Sequence, residues 1–363
     1  MKKIACVGYH ATGSGVIDDL LREFDNISTS VYGAELRILH DPDCISDLEY
    51  HLVFDPHRLG TGLAIRRFQE YCNAQSRMEE KIFGNDWMNM VNEYINSLVI
   101  NKYRGWIDNE LQFVSNTKKN IVKIKKGFNY LLRQSPLCNI VPSSFIKPRW
   151  YDYYPGNITY YSKLTEEQFL DKTKSFIEKL CSVINHENKE YIVLDQFASA
   201  HNPMRDLKFV DDMKIIIVDR DPRDLYLHNM LHKDHVLPKD PAQFAIQYKL
   251  MRQALCKEDT TKVLRIHYED MIFKYDEMLP IILDFLGIDK SHHISPQKYF
   301  KPSVSVNGTQ LWLFKSGEFS DAVKIIESKI PEMLYNYPPL DDRKKLLFGI
   351  DQKASLKEYA LKH

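Results

Sequence analysis

The chain has 363 residues, of which 44% are hydrophobic and 27% charged, which is an ordinary composition for a globular protein of one large or two average domains. Lysine plus arginine and aspartate plus glutamate both number 49, so no overall field favours binding to nucleic acid or to an anionic membrane. No apolar run is long enough to span a bilayer, and any polyanionic ligand has to be held by local groups.

The six cysteines are scattered, with neither a Cys-x-x-Cys pair nor a Cys/His cluster at zinc-binding spacing. This pattern indicates reduced, mostly buried thiols, and no metal site is predicted. Because the first predicted strand begins almost at Met1, no leader segment is expected ahead of it. The predicted location is cytoplasmic.

The first segment that suggests chemistry is residues 4–21. Residues 4–7 form an apolar run, residues 8–15 read Gly-Tyr-His-Ala-Thr-Gly-Ser-Gly, and residues 16–21 are apolar at helical spacing. Strand, glycine-rich loop and helix in this order are typical of a phosphate-binding loop, in which glycines let main-chain N–H groups surround an anion. The spacing from Gly8 to Gly13 matches the first half of a nucleotide-binding P-loop, but Ser14-Gly15 replaces its Lys-Ser/Thr pair. The alternative is a turn that needs glycine for its geometry alone.

A second short strand is predicted at residues 35–39. The helical pattern of residues 46–133 indicates a helical insertion, and residues 136–161 are rich in proline and aromatic side chains. Together they predict an acceptor-side insertion over about residues 46–163. Its aromatic cluster is either a stacking surface for a ligand or a loop held on the core by its rings. The cluster contains Trp150, Tyr151, Tyr153, Tyr154, Tyr160 and Tyr161.

Three further apolar strands are predicted at residues 191–194, 214–218 and 263–266, alternating with helices. A capping box at residues 165–168 opens one of these helices, and Gly287 is expected to end another. The pattern predicts an α/β fold with a doubly wound, mostly parallel sheet of the P-loop type. We expect one domain over residues 1–340, with a charged tail at 341–363. Ligands of such sheets gather at the carboxyl ends of the strands.

The buried-type strand at 214–218 leads into Arg220-Asp221-Pro222-Arg223-Asp224. Guanidinium groups suit phosphate because their planar fork makes bidentate, charge-assisted hydrogen bonds. The alternative is that both arginines only pair with the neighbouring aspartates.

These motifs are followed by Tyr268-Glu269-Asp270, a helix ending in residues 285–288 and a Ser/Gly loop before Trp312. In their order along the chain they resemble the sulfotransferases. The resemblance covers most of residues 4–331, except about 46–163. It implies direct in-line transfer of a sulfuryl group from 3′-phosphoadenosine-5′-phosphosulfate (PAPS) to a hydroxyl acceptor, such as a saccharide, a sterol or another alcohol. Adenosine 3′,5′-bisphosphate (PAP) would be the product, and no metal would be needed. No nucleic-acid partner is expected, and the oligomeric state is open.

Carried over residue by residue, the resemblance implies that the glycine-rich loop holds the 5′-phosphosulfate and that Arg220 holds the 3′-phosphate. His228 stands where the family has a serine for the same phosphate, Tyr268 where it has an adenine contact, and residues 303–308 where a loop closes over the nucleotide. The predicted cofactor-binding residues are therefore Ala11, Thr12, Gly13, Ser14, Gly15, Arg220, His228, Tyr268, Ser303, Ser305, Asn307 and Gly308.

Two departures concern the chemistry. The family's loop lysine, which neutralises the departing oxygen, is replaced by Ala11, and a protonated His10 is the candidate substitute. The general base is predicted to be Asp195, ahead of His201, because a buried carboxylate can take the proton of an acceptor hydroxyl. Two alternatives stay open: a P-loop kinase in which Asp195 and Ser14 bind magnesium, and an inactive nucleotide-binding module.

Overall fold

The computed structural model describes residues 1–29, 35–104, 115–140, 158–232, 236–313 and 319–339. The chain forms two compact units. The first comprises Met1–His40, Met78–Gly84 and Ile177–His363, and the second Asp41–Arg77 and Asn85–Phe176. The predicted tail at 341–363 lies outside the described residues, as do Trp150, Tyr151, Tyr153 and Tyr154 of the aromatic cluster.

The first unit contains a five-stranded sheet in which every pair of neighbouring strands is parallel. Its strands are β1 (Lys2–Gly8), β2 (Ile27–Thr29), β5 (Tyr191–Asp195), β6 (Met213–Asp219) and β7 (Val263–His267), in the spatial order β2-β5-β1-β6-β7. β1, with apolar residues that are at most 1% exposed, is the centre of the sheet. The predicted α/β fold with a parallel, doubly wound sheet is therefore confirmed.

Helices flank this sheet. They are α1 (Gly15–Leu21), the end of α6 (Glu166–Ile184), α7 (Pro203–Asp206), α8 (Pro222–His232), α9 (Pro241–Met251), α10 (Tyr268–Phe273), α11 (Tyr275–Leu286), α12 (Pro302–Ser305) and α13 (Ser320–Lys329). One apolar cluster joins α1, α10 and α11 to the sheet, and another joins α8, α9 and α13. Burial of these faces is the main source of stability for such layers.

The second unit is mainly helical. Its helices are α2 (Ile45–Glu49), a π-helical turn at Tyr50–Phe54, most of α3 (Gly60–Phe83), α4 (Trp87–Leu98), α5 (Asn116–Gln134) and the first part of α6. Two antiparallel strands, β3 (Asn101–Arg104) and β4 (Ile158–Tyr161), interrupt the helices, so the predicted helical pattern at 46–133 missed β3. β4 contains Tyr160 and Tyr161, and the Tyr160 ring is buried in this small sheet rather than free in a loop.

The predicted second strand at residues 35–39 is also wrong. The strand lies at Ile27–Thr29, where Ile27, Ser28 and Thr29 pair with β5, whereas residues 38–40 form a turn. Leu36, Ile38 and Leu39 are buried all the same, so their apolar character reflects burial in a connection.

Two local predictions about helix ends are confirmed. Thr165 and Gln168 exchange hydrogen bonds between their side chains and main-chain N–H groups, at 3.1 and 3.2 Å, as a capping box does. Gly287 ends α11 with a φ of 75°, the left-handed conformation that favours glycine. No helix in the described ranges is both long and apolar enough to cross a membrane.

Candidate functional site

The register of the sheet brings the predicted site residues to one edge. Cys6 of β1 pairs with Asp195 of β5, and Gly8 pairs with Val218 of β6. Asp219, which precedes Arg220, pairs with the last residue of β7, directly before Tyr268. The glycine-rich loop, Asp195, Arg220 and Tyr268 therefore all follow the carboxyl ends of adjacent parallel strands.

The glycine-rich loop, residues 8–15, is a tight turn with three positive φ angles, 96° at His10, 51° at Ala11 and 89° at Gly13. Thr12 is buried inside it, and its hydroxyl accepts a hydrogen bond from the main-chain N–H of Tyr9 at 3.1 Å. A Cβ at Gly8 would lie 2.2 Å from this hydroxyl, so only glycine fits there.

The main-chain N–H groups of residues 10–15 donate no hydrogen bond to any other described residue. Unsatisfied N–H groups at a glycine-rich turn are the donors with which main-chain nests bind anions. The loop therefore has the chemistry of an anion site without a lysine.

Tyr268 packs directly against this loop. Its ring would lie 2.5 Å from a Cβ placed on Gly13, so glycine is required by close contact as well as by its φ. The Tyr268 hydroxyl donates to the main-chain oxygen of Ser305 at 3.0 Å. One buried ring thus joins the amino-terminal loop to the carboxyl-terminal segment.

Arg220 is 5% exposed, and the guanidinium makes its hydrogen bonds to main-chain oxygens. Nη1 donates to the oxygen of Ala11 at 3.2 Å, and Nη2 donates to the oxygen of Gly308. The guanidinium carbon lies 5.0 Å from the centroid of the Tyr268 ring, and Nε donates to no described residue. No carboxylate in the described ranges forms an ion pair with this buried cation.

Arg223, the second arginine of the motif, has a different environment. It pairs with Asp221 at 2.8 Å and with Glu327 at 2.9 Å, and its guanidinium carbon lies 3.9 Å from the centroid of the Trp312 ring. Of the two readings of the motif, pairing with neighbouring acids therefore describes Arg223, whereas Arg220 points at the loop.

The carboxyl-terminal part of the site is not an extended polar loop. α12 and a 3-10 turn at Val306–Gly308 shape it, and its main chain makes the contacts with Arg220 and Tyr268. The side chain of Ser303 is exposed, and those of Ser305 and Asn307 are half-buried. A Cβ on Gly308 would lie 3.1 Å from the Tyr268 hydroxyl and 3.3 Å from Nη2 of Arg220, so glycine permits this close approach.

Two buried acids that the sequence did not single out support this segment. Asp224 accepts hydrogen bonds from the main-chain N–H groups of Gln310 and Leu311, at 2.8 and 2.7 Å. Glu269 accepts one from the N–H of Asp221 at 2.9 Å, and the Tyr337 hydroxyl lies within hydrogen-bonding distance of both acids, at 2.6 Å from Asp224 and 3.1 Å from Glu269. Burial raises the pKa of Asp224 to about 6 and that of Glu269 to about 8, with added repulsion between neighbouring carboxyls.

Asp195, the predicted base, is half-buried at the end of β5, and its Oδ1 accepts no hydrogen bond from a described residue. Burial raises the pKa of this carboxyl to about 7, and the negative charges of Asp18 and then Glu35 add to the effect. Burial likewise raises the pKa of Asp18 to about 6. A carboxyl with a pKa near neutrality has the proton affinity of a general base.

Gln196 is a site residue that sequence reasoning missed. Its Nε2 donates to the hydroxyl of Ser14 at 2.7 Å, and its Oε1 accepts a longer bond, 3.4 Å, from the N–H of Gly8. Its φ is 52°, a left-handed conformation that turns the chain at the end of β5. The only signal in the sequence was its position directly after a predicted strand.

The three histidines predicted to belong to the site lie in different surroundings. His10 is exposed at the top of the glycine-rich loop. His201 is exposed too, and its described hydrogen bonds join its N–H to Ser199 and its ring Nδ1 to the main-chain oxygen of Met251. His228 is half-buried in α8. Of the two base candidates, Asp195 is the one placed next to a residue that contacts the loop.

In the described ranges, no group of three or more His, Cys, Asp or Glu side chains is arranged to hold a metal ion. A scan against models of protein families finds no match for the chain. A search among curated proteins finds none either. A functional assignment therefore depends on the residues and geometry of the site itself.

Proposed function

We propose that this protein is a sulfotransferase that moves a sulfuryl group from PAPS to a hydroxyl acceptor. The observation that carries the proposal is Arg220, a buried guanidinium that contacts the glycine-rich loop and whose described hydrogen-bond acceptors are carbonyl oxygens rather than carboxylates. The buried carboxyl of Asp224 interacts electrostatically with this guanidinium but forms no direct ion pair with it, and a bound anion would offset more of the cost of burying the cation.

Two anion-binding elements stand side by side in this site. One is the set of main-chain N–H groups in residues 10–15, and the other is Arg220, bonded to Ala11 within that loop. PAPS carries anionic groups on both sides of its ribose and so could engage both elements. An ATP or GTP user needs a loop lysine for the terminal phosphates, and Ala11 and Ser14 carry no charge.

The proposed reaction is one in-line displacement at sulfur. The acceptor oxygen forms a bond to sulfur while the bond from sulfur to the bridging oxygen of PAPS breaks, and PAP leaves with the bond's electrons. Asp195 takes the proton of the acceptor hydroxyl. The loop N–H groups, with His10 as the candidate cation, stabilise the charge on the departing oxygen, at a few kcal/mol per donor.

Thermal shift with three ligands tests the donor specificity. We expect PAP to raise the melting temperature strongly and AMP to raise it less, because AMP lacks the 3′-phosphate that Arg220 would hold. Stabilisation by ATP with magnesium alone would contradict the proposal and favour the kinase. If PAP binds but no sulfuryl group is transferred from PAPS to any member of a panel of saccharides, sterols and phenols, the result would instead favour the inactive module.

A further inference from the structure

α5 is strongly basic, in contrast to the balanced charge of the whole chain. Its sequence, NTKKNIVKIKKGFNYLLRQ, contains five lysines and one arginine but neither aspartate nor glutamate. The same helix contains six large aliphatic or aromatic side chains between Ile121 and Leu132, besides Val122. A basic amphipathic helix of this composition is typical of segments that bind membrane surfaces or acidic partners.

The apolar residues of α5 form one stripe, and that stripe faces solvent. The spacing of three, four and three residues puts its four members on one side of the helix. Each is about half exposed or more, with 48% at Ile121, 71% at Ile124, 58% at Phe128 and 66% at Leu131. Val122, on the roughly opposite side of the helix, is only 3% exposed. The helix therefore buries its other face, at Val122, and presents the apolar stripe outward.

Further exposed apolar side chains follow the end of the helix. Leu137 is 52% exposed and Ile140 is 80% exposed, in the turn that follows α5. Exposed apolar side chains in such number on one segment are uncommon on a protein without a partner for them. A protein groove that binds a single helix would leave Leu137 and Ile140 uncovered. A flat apolar layer can cover the helix and the turn that follows it.

The charges beside the stripe identify the kind of surface that fits. Lys125 lies next to the stripe on one side and Lys123 nearer its other side, and both are exposed. A second copy of α5 would bring lysines against lysines, which is unfavourable. A bilayer with anionic headgroups provides negative charge at the level of the lysines and an apolar layer beneath it for the stripe.

We propose that α5 binds the surface of an anionic phospholipid membrane, lying in the interface with the side chains of Ile121, Ile124, Phe128 and Leu131 inserted. The helix lies on the membrane and does not span it. This inference is independent of the proposed transfer reaction, since it uses none of the residues of the nucleotide site.

Co-sedimentation of the full chain with vesicles tests the inference. We expect binding to vesicles of equal parts phosphatidylcholine and phosphatidylserine, little binding to phosphatidylcholine alone, and weaker binding as NaCl is raised. Ile124→Ser with Phe128→Ser should reduce the partition coefficient about tenfold or more. Lys123→Gln with Lys125→Gln should reduce it by about twenty-fivefold, which is about fivefold for each of the two lost positive charges.

A matched control has the same chemistry on another helix. Ile246 and Leu250 of α9 are 55% and 53% exposed, and Ile246→Ser with Leu250→Ser should leave the partition coefficient unchanged. Circular dichroism melting of each variant shows that loss of binding is not loss of folding. Absence of binding to anionic vesicles overturns the inference. Equal loss in the α9 variant, or a concentration-dependent dimer that Ile124→Ser with Phe128→Ser abolishes, overturns it as well.

Discussion

Arg220 and Arg223 are three residues apart in one motif, yet the groups that contact their guanidinium side chains are different. Arg223 is held between two carboxylates and an indole ring, which makes it part of the scaffold. Arg220 donates its hydrogen bonds to two carbonyl oxygens, which orient its fork, and its interaction with the buried carboxyl of Asp224 is electrostatic without a direct ion pair. A guanidinium oriented in this way is prepared for an anion and loses little side-chain entropy when the anion binds.

Arg220→Ala should weaken the binding of PAP by about thirtyfold, since a hydrogen bond to a charged group contributes on the order of 2 kcal/mol. Binding of AMP should change much less, because AMP has no 3′-phosphate. Isothermal titration calorimetry with both ligands measures the difference. Arg220→Lys, which keeps the charge and loses the fork, should lie between the wild type and the alanine variant. Equal losses for both ligands would refute the assignment to the 3′-phosphate.

Asp195→Asn should reduce kcat by about 10²- to 10⁴-fold, the usual contribution of general base catalysis, and leave the affinity for PAP unchanged. A base must be deprotonated to act, and burial raises the pKa of Asp195 to about 7, so wild-type kcat should rise with pH through that region. The variant should lose this rise. A pH profile of kcat that is the same in both proteins would remove Asp195 from the mechanism.

Among the elements, the glycine-rich loop depends most on small residues. Gly13 has a φ of 89° and lies against the Tyr268 ring, whereas a Cβ on Gly15 would meet no atom within 4 Å. These two glycines are two residues apart and form a matched pair for testing whether close packing or simple flexibility explains the loop's composition.

Gly13→Ala should destabilise the fold by about 1 to 3 kcal/mol, because the new methyl group strains the main chain and overlaps the Tyr268 ring. Gly15→Ala should be neutral or slightly stabilising, since alanine suits a helix better than glycine. Urea denaturation of both variants gives the comparison. Similar midpoints for the two would mean that the turn can relax away from Tyr268.

The sequence predicted those elements whose local patterns are strong. Strands β1, β5 and β6 contain continuous apolar runs, β7 has apolar residues on both sides of Arg265, and the capping box at Thr165 has a definite pair of hydrogen bonds. The strand predicted at residues 35–39 was wrong because buried residues of a connection are as apolar as those of a strand. β3 was missed because its sequence, Asn-Lys-Tyr-Arg, is polar, and its pairing with β4 lies more than fifty residues away.

At the scale of the whole molecule, the parts of the site that the sequence did not predict depend on contacts between residues that are distant in the chain. The motifs predicted that Arg220, Tyr268 and the glycine-rich loop would lie at one edge of the sheet, and the structure places them in contact. Gln196, Asp224 and Glu269 have roles that depend on contacts with residues up to about 180 positions away, which no local pattern reveals. The aromatic residues between Trp150 and Tyr154 lie outside the described part of the chain, so their role as an acceptor surface stays a prediction.

Global stability should fall as the pH rises from about 4.5 to about 8. Glu269 is buried with a folded-state pKa of about 8, above its ordinary 4.5, so the folded state retains a proton that the unfolded chain releases. One such group changes the unfolding free energy by at most about 1.4 kcal/mol per pH unit. Glu269→Gln should flatten this part of the profile in urea denaturation at a series of pH values. An unchanged slope would mean that Glu269 is ionised in the folded protein.

The hydrogen bonds of Arg220 have a consequence for how the protein is made. The guanidinium donates hydrogen bonds to the main-chain oxygens of residues 11 and 308, which are almost three hundred residues apart. A ribosome must have released residue 308 before these three segments can meet, although most of the sheet has emerged earlier. PAP is therefore expected to stabilise only chains whose synthesis has passed residue 308. It should not stabilise the nascent amino-terminal half.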